Sequence, residues 1–142
     1  PYLHVIEAIS NRHEYQDDNL HVNVIVGDAR AYLQSTNEQF DIVYQDAFSP
    51  SVNPMLWTRE YFADIVRVMK EDAILTTYST ALKTRLALHE QNLHVYLNIG
   101  EGYRNATLAS KQELVEYEKV DMAHKISCNP NVQPLLDLRY LL

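Results

Sequence analysis

Two short apolar runs in this chain stop in the same way, and that shared ending constrains the fold more than any other feature. His21-Val22-Asn23-Val24-Ile25-Val26 is rich in β-branched residues and ends at Gly27-Asp28, while Phe40-Asp41-Ile42-Val43-Tyr44-Gln45 ends at Asp46. Such runs read as strands that terminate in loops. Helical patterns alternate with them. Tyr2, Val5, Ile6 and Ile9 share one helical face over residues 2–13, against a competing strand over Leu3 to Ile6 closed by Glu7. Gln16 to Asn19 forms a polar turn, and Ala29 to Leu33 reads as a short helix. Thr58 can cap a helix with Glu60 in its first turn and an apolar stripe at Tyr61, Phe62, Ile65, Val66 and Met69. Ala73 to Tyr78 is a further strand, and Ser79 or Thr80 caps a helix running to about Glu90. Leu93 to Ile99 and Ala106 to Ser110 are two more strands, followed by a tail in which Asn129-Pro130 and Gln133-Pro134 favour extended or irregular backbone.

Strands alternating with helices predict an α/β fold with a mostly parallel sheet covered on both faces. Ligands in such sheets bind beyond the carboxyl ends of the strands. Asp28 and Asp46 both stand at such ends, which makes them the leading site residues.

Composition narrows the classes. The chain has 142 residues, enough for one domain with a real core. Twelve Lys and Arg against nineteen Asp and Glu leave a net charge of −7, so a nucleic-acid contact requires a local basic patch or another subunit. Cys128 is the sole cysteine, which excludes an intrachain disulfide and points to a reducing, cytoplasmic compartment. No apolar run approaches the roughly 20 residues of a membrane span. The six histidines show no i, i+4 pair and there is no cysteine pair, so no metal site is expected. Gly27, Gly100 and Gly102 are the only glycines, which excludes a glycine-rich phosphate or dinucleotide loop within this sequence. The scattered tyrosines and Cys128 read as packing residues, and Trp57 reads equally as a core anchor or a substrate wall.

In isolation, Asp28 after Gly27 is a helix cap before it is anything else, although a carboxylate there can also accept a hydrogen bond from an exocyclic amine or a ribose hydroxyl. Asp46 is harder to assign to capping. It closes an apolar strand and is followed by Ala47, which leaves room, Phe48, which offers a flat apolar face, and Pro50, which fixes the backbone. Such a loop can hold an amine between a carboxylate and an aromatic ring.

The segments VIVGDARAYL, FDIVYQDAFSPSVNPMLWTREYF, AILTTYSTALKTRLAL and GEGYRNATLAS resemble, in that order, the MnmC-like methyltransferase family. The resemblance runs from about Val24 to Ser110, and its most specific part lies between Asp46 and Trp57. It implies a Rossmann-like class I methyltransferase fold, S-adenosyl-L-methionine as cofactor, and methylation of the aminomethyl group on the wobble uridine of tRNA, giving 5-methylaminomethyl-2-thiouridine. Asp28, with Ala29 beside it, matches the acid that reads the cofactor's adenine amine. Asp46, with Ala47, matches the acid at the methyl-transfer site. Phe48, Pro50, Asn53, Pro54 and Trp57 match the substrate-side loop, Tyr78 and Ser79 the strand end that faces it, and Arg85 a basic residue on the helix behind.

The chain departs from the family pattern in two places. Of the basic cluster near residues 101–105 only Arg104 remains as a substrate contact, with Glu101 adding the opposite sign. The first strand and its glycine-rich loop are missing, as is the acid ending the second strand unless Glu7 is that acid. The usual strand order, 3-2-1-4-5-7-6, would make the Val24 strand the third and the Ile42 strand the fourth, which are not neighbours. The expectation is therefore a C-terminal piece of a longer protein: residues 1–110 a partial methyltransferase domain, residues 111–142 its C-terminal extension. Such a piece is expected to be inactive alone and, with its strand edges open, to form a homo-oligomer. An aminopropyl transferase of the spermidine synthase type, which shares Gly-Asp and a strand-end acid, is the competing enzyme; a catalytically incomplete fragment is the non-enzymatic alternative.

Overall fold

The computed structural model describes residues 2–100, 102 and 104–140. Two units make up the chain, Pro1–Tyr32 and Leu33–Leu142.

In the first unit, α1 (Leu3–Arg12) buries Val5 and Ala8 and ends at His13, whose left-handed backbone (φ 59°) lets its N–H reach the Ile9 carbonyl. Glu7 therefore lies on a helix, exposed, and does not end a strand. Next come β1 (Glu14–Gln16) and β2 (His21–Asn23), an antiparallel pair with Tyr15 opposite Val22. The turn between them is closed by Asp17, whose Oδ1 accepts the Asn19 and Leu20 N–H groups, both at 2.8 Å, while Tyr15 Oη donates to Oδ2. These bonds, led by the Asn19 amide, hold the Asp17 carboxyl below its ordinary range.

This hairpin corrects the expectation of a strand over His21 to Val26 within a larger sheet. Only His21–Asn23 is extended; its ladder is completed by the neighbouring β1, and Ile25 and Val26 stay exposed. A β-branched run states a preference for extension but not a partner, and here the nearest segment supplies one. Helix α2 (Ala29–Ser35) follows.

The second unit is built on β3 (Phe40–Gln45), α3 (Arg59–Val68), β4 (Met69–Thr77), α4 (Leu82–His89), β5 (His94–Asn98), β6 (Ala106–Ser110), β7 (Glu118–Lys119) and α5 (Met122–Cys128). Its sheet runs β3-β4-β6-β5-β7. The pair β3–β4 is parallel, while β4–β6, β6–β5 and β5–β7 are antiparallel. A mostly parallel sheet was the wrong expectation, and chain length explains why. The connection from Asn98 to Ala106 is too short for the dozen or more residues of a parallel crossover. It must reverse, turning through Gly102 at φ +80°, and β6 inserts between β4 and β5. From β3 onward the order matches the 4-5-7-6 half of the class I arrangement, with β3 at the edge.

Alternation along β4 sends Ala73, Leu75 and Thr77 into the core with Phe62, Ile65 and Val68 of α3 and Ala87 and Leu88 of α4. Thr58 caps α3 as expected, its Oγ1 accepting the Tyr61 N–H at 3.2 Å. Helix α4 departs from expectation: Ala81 is its N-cap, because the Ser79 hydroxyl is buried against Thr84 Oγ1 at 3.0 Å and Thr80 makes no cap. The tail is more ordered than its prolines implied. Strand β7 pairs with β5, α5 is capped by Asp121, and Leu135 bridges to Thr58 and joins the core. On the opposite sheet face, Ile42 and Tyr44 of β3 are 55% and 75% exposed. Among the described residues no helix is long and apolar enough to cross a membrane.

Two outcomes follow from this packing. Phe62 is fully buried, so Phe62→Ala should cost about 3–5 kcal/mol in denaturant unfolding; a loss below about 1 kcal/mol would show that the core is not centred on α3. The Asp17 carboxyl is depressed in the folded hairpin, so its support is present above the ordinary carboxylate range and is lost as pH falls through the folded value. The protection factors of the Tyr15 and Val22 amides, relative to intrinsic exchange at each pH, should therefore fall at acid pH in the wild type, and Asp17→Ala should remove that fall.

Candidate active site

The two parallel strands deliver their last residues side by side. Gln45 of β3 and Thr77 of β4 are register partners, so the segments that leave the sheet after them, Asp46 onward and Tyr78 onward, face each other across the carboxyl edge. Between them lies an open cleft of about 330 Å³ lined by Tyr44, Gln45, Asp46, Thr76, Thr77 and Tyr78. Asp46 is exposed there, and its carboxylate has no partner among the described residues.

Three buried or aromatic donors shape the loop that carries Asp46. Gln45, turned into the core by strand alternation, donates from Nε2 to the Leu56 carbonyl at 2.7 Å. Tyr78 Oη donates to the Ala47 carbonyl at 2.9 Å, and Trp57 Nε1 donates to the Phe48 carbonyl at 2.7 Å. The two carbonyls directly after Asp46 are thus each held by an aromatic side chain. Those aromatics support each other edge to face, with Trp57 and Tyr78 centroids 5.6 Å apart at 76°. Beyond Phe48 the loop folds on itself, the Val52 and Asn53 N–H groups reaching the Ser49 carbonyl, before Pro54 opens the one-turn 3₁₀ helix Pro54–Leu56. Pro50, Asn53 and Pro54 are half-buried, whereas the Phe48 ring is 78% exposed.

Trp57 is a core residue, 1% exposed, so it reaches a substrate only through the loop that it fixes. Ser79 is likewise buried: its hydroxyl meets Thr84, and its carbonyl accepts from Thr107 Oγ1 at 2.7 Å. Thr107 Oγ1 in turn accepts from Arg85 Nε at 3.1 Å. Arg104 is exposed at the approach to β6; Glu101 lies outside the described residues. Asp28 belongs to the first unit and caps α2, Oδ1 accepting from the Arg30 N–H at 2.8 Å and the Ala31 N–H at 3.4 Å, with Ala29 exposed at the helix start. Capping occupies one oxygen's direction and leaves the exposed carboxylate able to accept a further bond.

The residues that the sequence reading missed are Tyr44, Gln45, Thr76 and Thr77. Once β3 and β4 are in register, alternation alone places them around Asp46, but register between distant strands is not written in either one. A larger hollow, about 660 Å³, lies at the opposite edge of the sheet among His89, His94, Lys119, Asp121 and Met122. Its charged groups are already engaged, Lys119 with Glu113 at 2.6 Å and Asp121 as the α5 cap. The smaller cleft, with a free carboxylate at strand ends, is the better site. Cys128, expected to pack, is exposed with its Sγ 3.6 Å from His124 Nε2, and among the described residues no three metal-ligating groups converge.

A family model described as S-adenosyl-L-methionine-dependent methyltransferase matches residues 2–113. The crystal structure of MNMC2 from Aquifex aeolicus superposes with a TM-score of 0.81 at 29% identity, covering 98% of this chain and 47% of that one. The uncharacterized protein MJ0670 of Methanocaldococcus jannaschii is 29% identical over 121 residues, 85% of this chain and 30% of its own length. The tRNA 5-methylaminomethyl-2-thiouridine biosynthesis bifunctional protein MnmC of Burkholderia vietnamiensis is 34% identical over 80 residues, 56% of this chain and 12% of its length. The chain thus spans about half of the solved structure and less than a third of these curated relatives. With its β3-β4-β6-β5 sheet and the strand-end acid Asp46, the chain belongs to the MnmC-like S-adenosyl-L-methionine-dependent methyltransferases and carries their class I, Rossmann-like fold.

Proposed function

We propose that the protein containing this chain transfers a methyl group from S-adenosyl-L-methionine to a primary amine, the aminomethyl group of a wobble uridine in tRNA. The reading places it in cytoplasmic tRNA modification. The observation that carries it is the exposed, unpartnered Asp46 carboxylate at the end of β3, beside a loop whose next two carbonyls are pinned and whose Phe48 ring faces outward. The relative from Burkholderia vietnamiensis, whose name states 5-methylaminomethyl-2-thiouridine biosynthesis, supports the choice of acceptor.

The residues at the cleft fit the cofactor's positively charged methyl end: a carboxylate from Asp46 and aromatic faces from Tyr44 and Tyr78 line one space. By the family resemblance, Asp28, with the small Ala29 beside it, is the residue for the adenine amine, on lone pairs that capping leaves open, and Ala47 is the small residue next to Asp46. When bound, S-adenosyl-L-methionine supplies a methyl group already activated on a sulfonium, so the protein's work is chiefly alignment. Asp46 would accept a hydrogen bond from the acceptor amine and orient it for attack. Its carboxylate is also an acceptor at the cleft for the proton that an alkylammonium must release before attack. Phe48 flanks the pyrimidine, with Pro50, Asn53 and Pro54 forming the wall behind it and Trp57 fixing that wall from the core. Tyr78 and Ser79 hold the facing segment, and Arg104 offers a charge to the RNA backbone.

In the full-length protein, Asp46→Ala should lower methyl incorporation into wobble-hypomodified tRNA by about 100-fold or more while changing stability by about 0.5 kcal/mol or less. Asp46→Asn separates roles: retained activity assigns Asp46 to orientation, and loss equal to Ala assigns the charge. Near-normal turnover by Asp46→Ala would remove the acid from the reaction. Trp57→Phe keeps a ring in the core but loses the bond to Phe48; it should cost about 1 kcal/mol and accelerate amide exchange at Val52 and Asn53. Unchanged exchange there would mean that the loop is held by other contacts.

A further inference from the structure

We propose that Arg85 is an oxyanion subsite at the same end of the sheet as Asp46 and that it receives a phosphodiester of the polynucleotide substrate. The assignment rests on the RNA reading above and adds to it a named contact.

Arg85 lies on the face of α4 turned toward β6. It is half-buried, and its Nε is committed to Thr107 Oγ1, itself fully buried and bonded onward to the Ser79 carbonyl. Thr107 is the register partner of Thr77, so this guanidinium is fixed at the same end of the sheet as Asp46. Among the described residues no carboxylate pairs with it. Burial lowers its pKa from the ordinary arginine value, yet arginine stays charged in proteins.

A partly desolvated cation is normally stabilised by an acid, and this chain carries nineteen of them. Leaving Arg85 without one, with its fork oriented by a buried threonine, keeps the remaining donors available for a planar, two-pronged contact with an oxyanion. The charge balance gives the same direction. A chain of net charge −7 repels a polyanion, so phosphate contact has to come from local cations. Arg104, exposed three residues before Thr107 and also without an ion pair among the described residues, places a second one on the same edge. An oxyanion at Arg85 could also be the carboxylate of the cofactor's amino-acid part, and the experiment separates these sources.

The Arg85 Nε–Hε resonance of the chain is followed by NMR during titration with inorganic phosphate, with a short single-stranded oligoribonucleotide and with S-adenosyl-L-methionine. Phosphate and the oligoribonucleotide should move it. Arg85→Gln should weaken oligoribonucleotide binding about tenfold and make its salt dependence shallower by about 0.7, leaving cofactor affinity unchanged. Arg85→Lys should keep the salt slope and recover only part of the affinity, because the charge remains and the fork is lost. A resonance that ignores phosphate overturns the subsite. Loss of cofactor affinity in Arg85→Gln with unchanged RNA binding overturns the phosphodiester assignment in favour of the carboxylate. If Arg85 responds to phosphate and RNA while the full-length protein methylates no RNA, the acceptor reading falls and the subsite stands.

Discussion

The indole of Trp57 joins the core to the chemistry. Its rings are packed edge to face between Phe62, the fully buried centre of α3, and Tyr78, the first residue past β4, while its N–H holds the carbonyl of Phe48. A buried indole that lacked a hydrogen-bond partner would cost about 1–3 kcal/mol. The Phe48 carbonyl therefore satisfies a core requirement, and the loop position is set by the same free energy that stabilises the fold. Tyr78 repeats the arrangement one residue earlier, on Ala47. Between them the backbone next to Asp46 has little freedom, so the carboxylate is presented and not merely exposed. That is the kind of preorganisation that a reaction limited by alignment requires.

Much of this was legible in the residues. The strand ending at Gln45, a strand over Ala73 to Tyr78, the Thr58 cap and most of the apolar stripe of α3 follow from periodicity and side-chain chemistry, although Met69 opens β4 and does not extend the helix; the loop from Asp46 to Pro54 announces itself by its prolines. What sequence could not supply was partnership. Nothing in His21–Asn23 names Glu14–Gln16 as its mate, and nothing in Ala106–Ser110 states that it enters between β4 and β5, although the short link before it already forbade a parallel crossover. Ser79 shows a limit of local rules at a smaller scale: a serine ahead of a helix is a cap by those rules, yet its buried hydroxyl meets Thr84 Oγ1 and the Ala81 N–H, and Ala81 stands at the N-cap.

The electrostatic design is local. An acidic chain meeting an anionic substrate gains nothing from its overall field, and some of its cations are held in surface pairs, such as Lys70–Asp41 and Lys119–Glu113. Arg85 and Arg104 have no ion pair among the described residues and stand at the end of the sheet where Asp46 opens. Under the proposed function, a carboxylate for the amine and two guanidiniums for the backbone, neither in an ion pair among the described residues, is a division of charge suited to a nucleic-acid substrate with a basic reacting group.

The claim on which the account rests is that the β3–β4 carboxyl edge, and not the larger hollow at the far edge, receives the cofactor. Titrating the isotopically labelled chain with S-adenosylhomocysteine and mapping amide shift changes tests it directly. The account predicts that the changes centre on Gln45, Asp46, Ala47 and Tyr78. Changes centred on His89, His94 and Met122, with none between Gln45 and Phe48, would contradict it.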